Sequence, residues 1–274
     1  AKDIISSNKV RPTSGLEFVS SRHFPDEVQG DILINNNIGY LGTKQHAVSE
    51  NGTGYKTRYR QDLLKSDNGN FRPVDLEFAP DGSLYVIDWS NVLIGHMQHN
   101  ARDPHRDHVH GRVYRITYPS RPLVKPAKID GASITELLAN LTLPEYRTRY
   151  RTRRELRGHD ADTVATATKK WAQSLDKKDP DYERHQLEAL WVLWGVNKVD
   201  QPLVTNLLKA KDHKVRAAAA RVVRYNLDKL SNAQELLELA AGDEHGRVRL
   251  EAINTANWLD KASGVAILEI AKTK

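Results

Sequence analysis

The sequence predicts a multidomain β plus α chain, a partial β-propeller of about two blades followed by a HEAT-like α-solenoid, and three observations carry that prediction. Residues 14 to 118 are rich in β-branched and aromatic runs cut by Gly, Asn, Asp and Pro, the pattern of short strands and tight turns. Pro119, Pro122, Pro126 and Gly131 then interrupt the chain. Beyond them the apolar period changes from two residues to about 3.6, and residues recur at a fixed offset. The division is residues 1–118 for the blades, 119–132 for a Pro-rich linker and 133–274 for the helical repeats.

Within the blade region, a pair of stretches echo each other. Ser14-Gly-Leu-Glu-Phe18 leads to Gly30-Asp-Ile-Leu-Ile34, and Val74-Asp-Leu-Glu-Phe78 leads to Gly82-Ser-Leu-Tyr-Val86. Each reads as a strand, a turn and a second, more hydrophobic strand. Further strands are expected at Gly39 to Val48, Tyr55 to Leu64 and Gly111 to Tyr118, and Asp81-Gly82 as a turn. A closed propeller needs about four to eight blades, and two alone would leave open strand edges that recruit other chains. The expected partner is therefore the remaining blades, from a longer parent polypeptide or another subunit. The only methionine is Met97, so Ala1 is not an initiator and the chain reads as a piece of something longer.

After the linker, Leu187, Leu190, Trp191 and Trp194 form one helical stripe, and Val248, Ala252, Ile253, Ala256 and Leu259 another. Val215 matches Val248, Arg216 matches Arg249, Ala219 matches Ala252 and Tyr225 matches Trp258, all 33 residues apart, and Val204, Leu237 and Ile270 keep the same step. A fixed period with two helices per unit implies a stack in which each pair buries its apolar face on its neighbours. Ankyrin shares the period, but its Thr-Pro-Leu-His signature is absent, as is the tetratricopeptide pattern, so a short HEAT-like repeat fits best. A more diverged unit is expected from Tyr146 to Leu175, its second helix starting at or beside Asp162. Trp171, Trp191, Trp194 and Trp258 sit at helical core spacing and read as packing residues.

Composition narrows the chemistry. The chain has no cysteine, which excludes disulfides, zinc-thiolate sites, a thiol nucleophile and a Cys-x-x-Cys-His haem attachment. Lys plus Arg number 41 against 35 Asp plus Glu, a mixed surface of net charge +6. Arg147, Arg149, Arg151, Arg153, Arg154 and Arg157 crowd one helix with Tyr146 and Tyr150, yet with Arg on almost every side it reads as a solvated face or a contact with the neighbouring blades, not as a nucleic-acid site. No apolar run approaches the ~18 residues that could span a bilayer.

The stretch Phe71-Arg-Pro-Val-Asp-Leu-Glu-Phe-Ala-Pro-Asp-Gly-Ser-Leu-Tyr-Val-Ile-Asp-Trp89, with Ile94-Gly-His-Met-Gln-His99, Arg102-Asp103 and His110-Gly-Arg-Val-Tyr-Arg115 after it, strongly resembles the bacterial multidomain proteins classed as membrane-bound dehydrogenases. His23-Phe-Pro-Asp-Glu-Val-Gln-Gly-Asp31 and Leu143-Pro-Glu-Tyr-Arg-Thr-Arg149 fit the same pattern. In that family a propeller related to the sorbosone and soluble glucose dehydrogenases precedes HEAT-like repeats and often a c-type cytochrome domain. The resemblance implies a periplasmic or secreted protein and, as a class, oxidation of a sugar or polyol with pyrroloquinoline quinone and calcium.

The densest set of candidate residues lies between Asp88 and Arg112. His96 and His110 are the candidate catalytic bases, since imidazole titrates near neutral pH. Arg102, Arg106 and Arg112 are candidates to clamp a carboxylated quinone through bidentate pairs. His99, Asp103 and His108 are the candidate metal ligands. Two other readings stand beside these: a loop ordered by its own His, Arg and Asp hydrogen bonds, and a surface for a partner. Asp75, Asp81 and Asp88 recur beside strands, but their spacing does not converge on a calcium site. Two functions follow from the sequence, a fragment of a quinone-dependent dehydrogenase and a non-catalytic protein- or polysaccharide-binding scaffold.

Overall fold

The computed structural model describes residues 13–93 and 103–274. They form a mixed β and α chain in two compact units, the first comprising residues up to 51, 55–127 and 144–147, the second 52–54, 128–143 and 148–274. The division after residue 127 falls inside the predicted Pro-rich linker.

In the first unit all seven expected strands form: β1 (Thr13–Phe18), β2 (Ile32–Asn36), β3 (Gly42–Asn51), β4 (Gly54–Lys65), β5 (Pro73–Phe78), β6 (Leu84–Asp88) and β7 (Arg112–Ile116). Strands β1 to β4 make one sheet in sequence order, and β5 to β7 a second, with antiparallel neighbours at β1–β2, β2–β3, β5–β6 and β6–β7. Alternation explains the second sheet: Leu84 and Val86 are buried while Tyr85 and Ile87, alternating with them, are exposed. Leu33 of the first sheet joins Leu76, Phe78, Leu84 and Val86 of the second in one core, closed by Phe24 set edge-on against Phe78 at 5.4 Å. His23 is buried there too. Its Nδ1 lies 2.9 Å from the Pro122 carbonyl and its Nε2 accepts the Tyr118 N–H at 2.9 Å, which fixes the chain leaving β7.

The Leu-Glu-Phe echo holds in sequence but not in facing. Leu76 and Phe78 point into the core, whereas Leu16 is 58% and Phe18 50% exposed, and it is Glu17 that is buried. Both strands shift register just before the echo, between Ser14 and Leu16 and between Pro73 and Asp75. Gly15 takes φ +34°, and a Cβ on it would sit 2.7 Å from the Asp75 Cα, so the two strands approach through a residue without a side chain. The opposite face of the second sheet also exposes large apolar side chains, with Ile87 46% and Val113 65% exposed beside Asp75, Glu77 and Arg115. Asp81-Gly82 forms the expected turn, with Gly82 at φ +82°.

The second unit holds α1 (Ile134–Asn140), most of α2 (Tyr146–Leu156), and α3 (Ala161–Ser174), α4 (Tyr182–Gly195), α5 (Gln201–Leu207), α6 (His213–Arg224), α7 (Ala233–Ala241), α8 (Gly246–Ala256) and α9 (Lys261–Lys272). Side chains of Ser133, Asp160, Asp200, Asp212 and Asp260 accept first-turn N–H groups, which sets where these helices start. Asp160, two residues before the expected Asp162, starts α3. Helix α6 packs on α4 and α8, and α7 on α6, α8 and α9.

The 33-residue step has a physical basis. Val215, Val248, Ala219, Ala252, Val204 and Leu237 are all buried in one cluster. Arg216 and Arg249 play matching roles: Arg216 Nη1 donates to the carbonyls of Ala210 and Lys211, and Arg249 Nη1 to those of Asp243 and Glu244, so each guanidinium closes the turn before its own helix. Trp171, Trp191 and Trp194 pack against the cores as expected. Trp258 corrects that expectation, being 55% exposed. Among the described residues no helix is long and apolar enough to cross a membrane.

Candidate functional site

The polar centre of the first unit is built on Asp88, the last residue of β6, whose side chain is fully buried. Its Oδ1 accepts the backbone N–H groups of Arg72 at 2.7 Å and Ser90 at 2.8 Å, and its Oδ2 lies 2.7 Å from Arg112 Nε at the start of β7. Arg72 is buried beside it and donates to three carbonyls, of Asn91 at 3.0 Å, Asn37 at 3.0 Å and Val92 at 3.3 Å. Burial lowers the Arg72 pKa against the pull of Asp88. One ion pair and one guanidinium thus tie together the ends of β2, β6 and β7. Ser90, at φ +55°, lets the chain leave β6 sharply.

From this anchor rises the loop that returns to β7. Its described stretch, residues 103–111, is ordered by two Asp–His pairs. The Asp103 Oδ1 accepts the His105 N–H at 2.9 Å and lies 3.0 Å from His105 Nδ1. Asp107 Oδ1 accepts the N–H groups of Val109 and His110, and its Oδ2 lies 2.8 Å from His110 Nδ1. Those two N–H groups, helped by His110, hold the Asp107 pKa down to about 2. The His105 N–H likewise lowers that of Asp103. Asn91 Nδ2 donates to the Asp107 carbonyl at 3.2 Å and links loop to anchor.

The predicted site residues divide accordingly. His96, His99 and Arg102 lie outside the described residues. His110 has its Nδ1 engaged by Asp107 and its imidazole exposed, leaving Nε2 as the nitrogen able to accept a proton. His108 is exposed, and Asp103 is engaged by His105, so neither meets a third ligand in the described stretch of the loop. Arg112 is committed to Asp88, and Arg106 lies 5.7 Å from the centre of the Trp89 ring. The fit to a quinone and calcium is poor among these residues. A quinone bearing several carboxylates would not find Arg112, and the oxygens of Asp88, Asp103 and Asp107 are turned to separate N–H partners, not to one centre.

Sequence reasoning missed Arg72, although it stands in the quoted motif, because its role depends on three carbonyls far apart in sequence. It also missed a buried cluster on β3. The Lys44 side chain is buried, its Nζ 3.5 Å from Asp62 Oδ1 and 4.1 Å and 5.2 Å from the ring centres of Tyr40 and Tyr59. Burial and then Asp62 push the Tyr40 pKa up, while at Asp62 the effect of burial is outweighed by hydrogen bonds from Tyr59 and Tyr40 and by Lys44, so its pKa falls. In the helical unit, Trp194 stacks on Tyr225 at 5.6 Å and Tyr225 meets Trp258 edge-on at 5.4 Å, an aromatic row along the ends of α4, α6 and α8 with Tyr225 47% exposed.

Fold and site together define a mixed β and α protein with an anchored, surface-facing His–Asp loop. Residues 2–120, less than half of the chain, match the model of a family described as a domain of unknown function (DUF7133). No curated protein and no solved structure matches the chain.

Proposed function

We propose that this chain is a docking scaffold and not an enzyme in its own right, its sheets a sector of a β-propeller and its helices a short HEAT-like α-solenoid. The observation that carries the reading is that both outer faces of the sheet pair expose large apolar side chains, Leu16 and Phe18 on one side, Ile87 and Val113 on the other, the latter set among Asp75, Glu77 and Arg115. Blades inside a propeller ring are covered on both faces, and faces of this kind mark interaction surfaces. The partner they suit is another blade, and for this chain by itself that blade is offered by a second copy. Sedimentation velocity tests this. The chain is expected to self-associate with concentration, and Phe18→Lys with Val113→Lys to return it to monomer; a wild-type monomer at all concentrations overturns the reading.

A second reading, a piece of a periplasmic or secreted quinone-dependent sugar or polyol dehydrogenase that passes electrons to a c-type cytochrome domain, is favoured by the Asp107–His110 pair. A carboxylate holding Nδ1 and leaving Nε2 open is the arrangement of a general base. Dye reduction with glucose or sorbosone after adding pyrroloquinoline quinone and calcium distinguishes the two. No turnover is expected from the scaffold, whereas turnover abolished by His110→Ala would install the enzymatic reading.

A further inference from the structure

A cleft of about 350 Å³ opens among α3, α4 and α5, at the small end of the about 300–1,000 Å³ usual for ligand pockets. Some of its lining is apolar, from Ala172, Leu193, Pro202 and Leu203. Its polar groups are unequally committed. Asp200 is fully engaged, its Oδ1 accepting the Leu203 N–H at 3.0 Å and its Oδ2 lying 2.7 Å from Lys169 Nζ, so Lys169 is neutralised within the cleft. The Gln186 amide donates to the Ala172 carbonyl at 2.6 Å and stiffens the wall between α3 and α4. Lys177, from the α3–α4 connection, lines the same cleft with no ion-pair partner among the described residues, and the Tyr182 hydroxyl has no hydrogen-bond partner among them either. Two lysines against one aspartate leave the cleft one positive charge beside an apolar wall.

We propose that this cleft binds a small organic monocarboxylate with an apolar body, the carboxylate on Lys177 and Tyr182 and the aliphatic or aromatic portion against Pro202 and Leu203. The single uncompensated charge selects a monoanion, since a phosphate monoester would bring nearly two negative charges to one free cation. The apolar wall selects against free acetate or formate, which would leave it wet. The proposal is independent of the scaffold reading.

The test is isothermal titration calorimetry on the 274-residue chain with 3-phenylpropionate and octanoate, each beside its uncharged alcohol. At least one carboxylate is expected to bind saturably and about tenfold tighter than its alcohol. Lys177→Gln removes that difference and Lys177→Arg keeps it. Leu203→Trp, which fills the cleft, abolishes binding of both forms. Should that variant lose its near-ultraviolet circular dichroism, the exposed Lys177 pair of substitutions decides alone. Absence of saturable binding by either carboxylate up to about 10 mM, or binding unchanged by Lys177→Gln, overturns the proposal.

Discussion

Arg112 Nε stands 2.7 Å from Oδ2 of an Asp88 side chain that water does not reach. The pair joins the end of β6 to the start of β7, and the loop carrying His105, His108 and His110 rises between them. Breaking a buried pair costs about 3–5 kcal/mol because it strands a charge. Arg112 is itself a third exposed, which lets water approach the stranded carboxylate, so Arg112→Met is expected to cost nearer to about 2–3 kcal/mol. His110→Ala, at the exposed end of the same loop, should change stability by no more than about 0.5 kcal/mol. Urea unfolding of the two variants measures both, and equal effects would remove Asp88 from its place as the anchor.

Asp107 gives the loop an acid limit. Its pKa in the folded chain is lowered to about 2, below the ordinary carboxylate value of about 3.9, so its stabilising hydrogen bonds are fully present above the ordinary value and are lost as the pH falls through about 2. The amide resonances of Val109 and His110 should therefore titrate together with a midpoint near 2. In Asp107→Asn that step disappears, and the His110 ring loses its orienting partner. A midpoint at about 4 would mean that the two N–H bonds are not kept in solution.

The Leu-Glu-Phe echo shows where the sequence stops being informative. All seven strands were legible, because β-branched runs bounded by Gly and Asp need only local information. Facing was not, because an identical tripeptide has its Leu and Phe buried in β5 and exposed in β1, and only the sheet packed against each strand decides which. Phe78→Ala should cost about 3–5 kcal/mol as a core truncation, and Phe18→Ala less than about 1 kcal/mol. Comparable losses would mean that β1 is covered in solution.

The candidate site was legible only as a concentration of residue types. His110, Asp103 and Asp107 were visible as a crowded loop, and one of the readings offered for it, ordering by its own hydrogen bonds, describes the Asp–His pairs found. What no spacing could reveal is commitment: Arg112 is held by Asp88, far from it in sequence, and Arg72 by the carbonyls of Asn37, Asn91 and Val92. In the helical unit the 33-residue step located the packing and even the paired arginines, since a repeat imposes one environment on equivalent positions. Trp258 escaped because core spacing does not guarantee a neighbour on the far side.

Glu188 provides the sharpest test of the helical unit. This carboxylate on α4 is almost wholly buried and receives Arg149 Nε at 2.8 Å and Arg153 Nη1, both from α2, while Arg153 also lies 5.3 Å from the centre of the Trp191 ring. Burial lowers the Arg149 pKa, with Glu188 opposing, so the carboxylate offsets the cost of burying a guanidinium that stays charged. Glu188→Gln leaves two arginines facing one neutral amide and is expected to cost about 3–5 kcal/mol. Replacing all three residues together, Arg149→Met, Arg153→Leu and Glu188→Leu, should cost less than the single change, because a buried ion triad offsets its desolvation only while complete and an apolar triad never incurs it. Denaturant midpoints at constant slope decide the matter. If the triple variant is the less stable of the two, the triad contributes net attraction and the two helices owe their pairing to charge more than to packing.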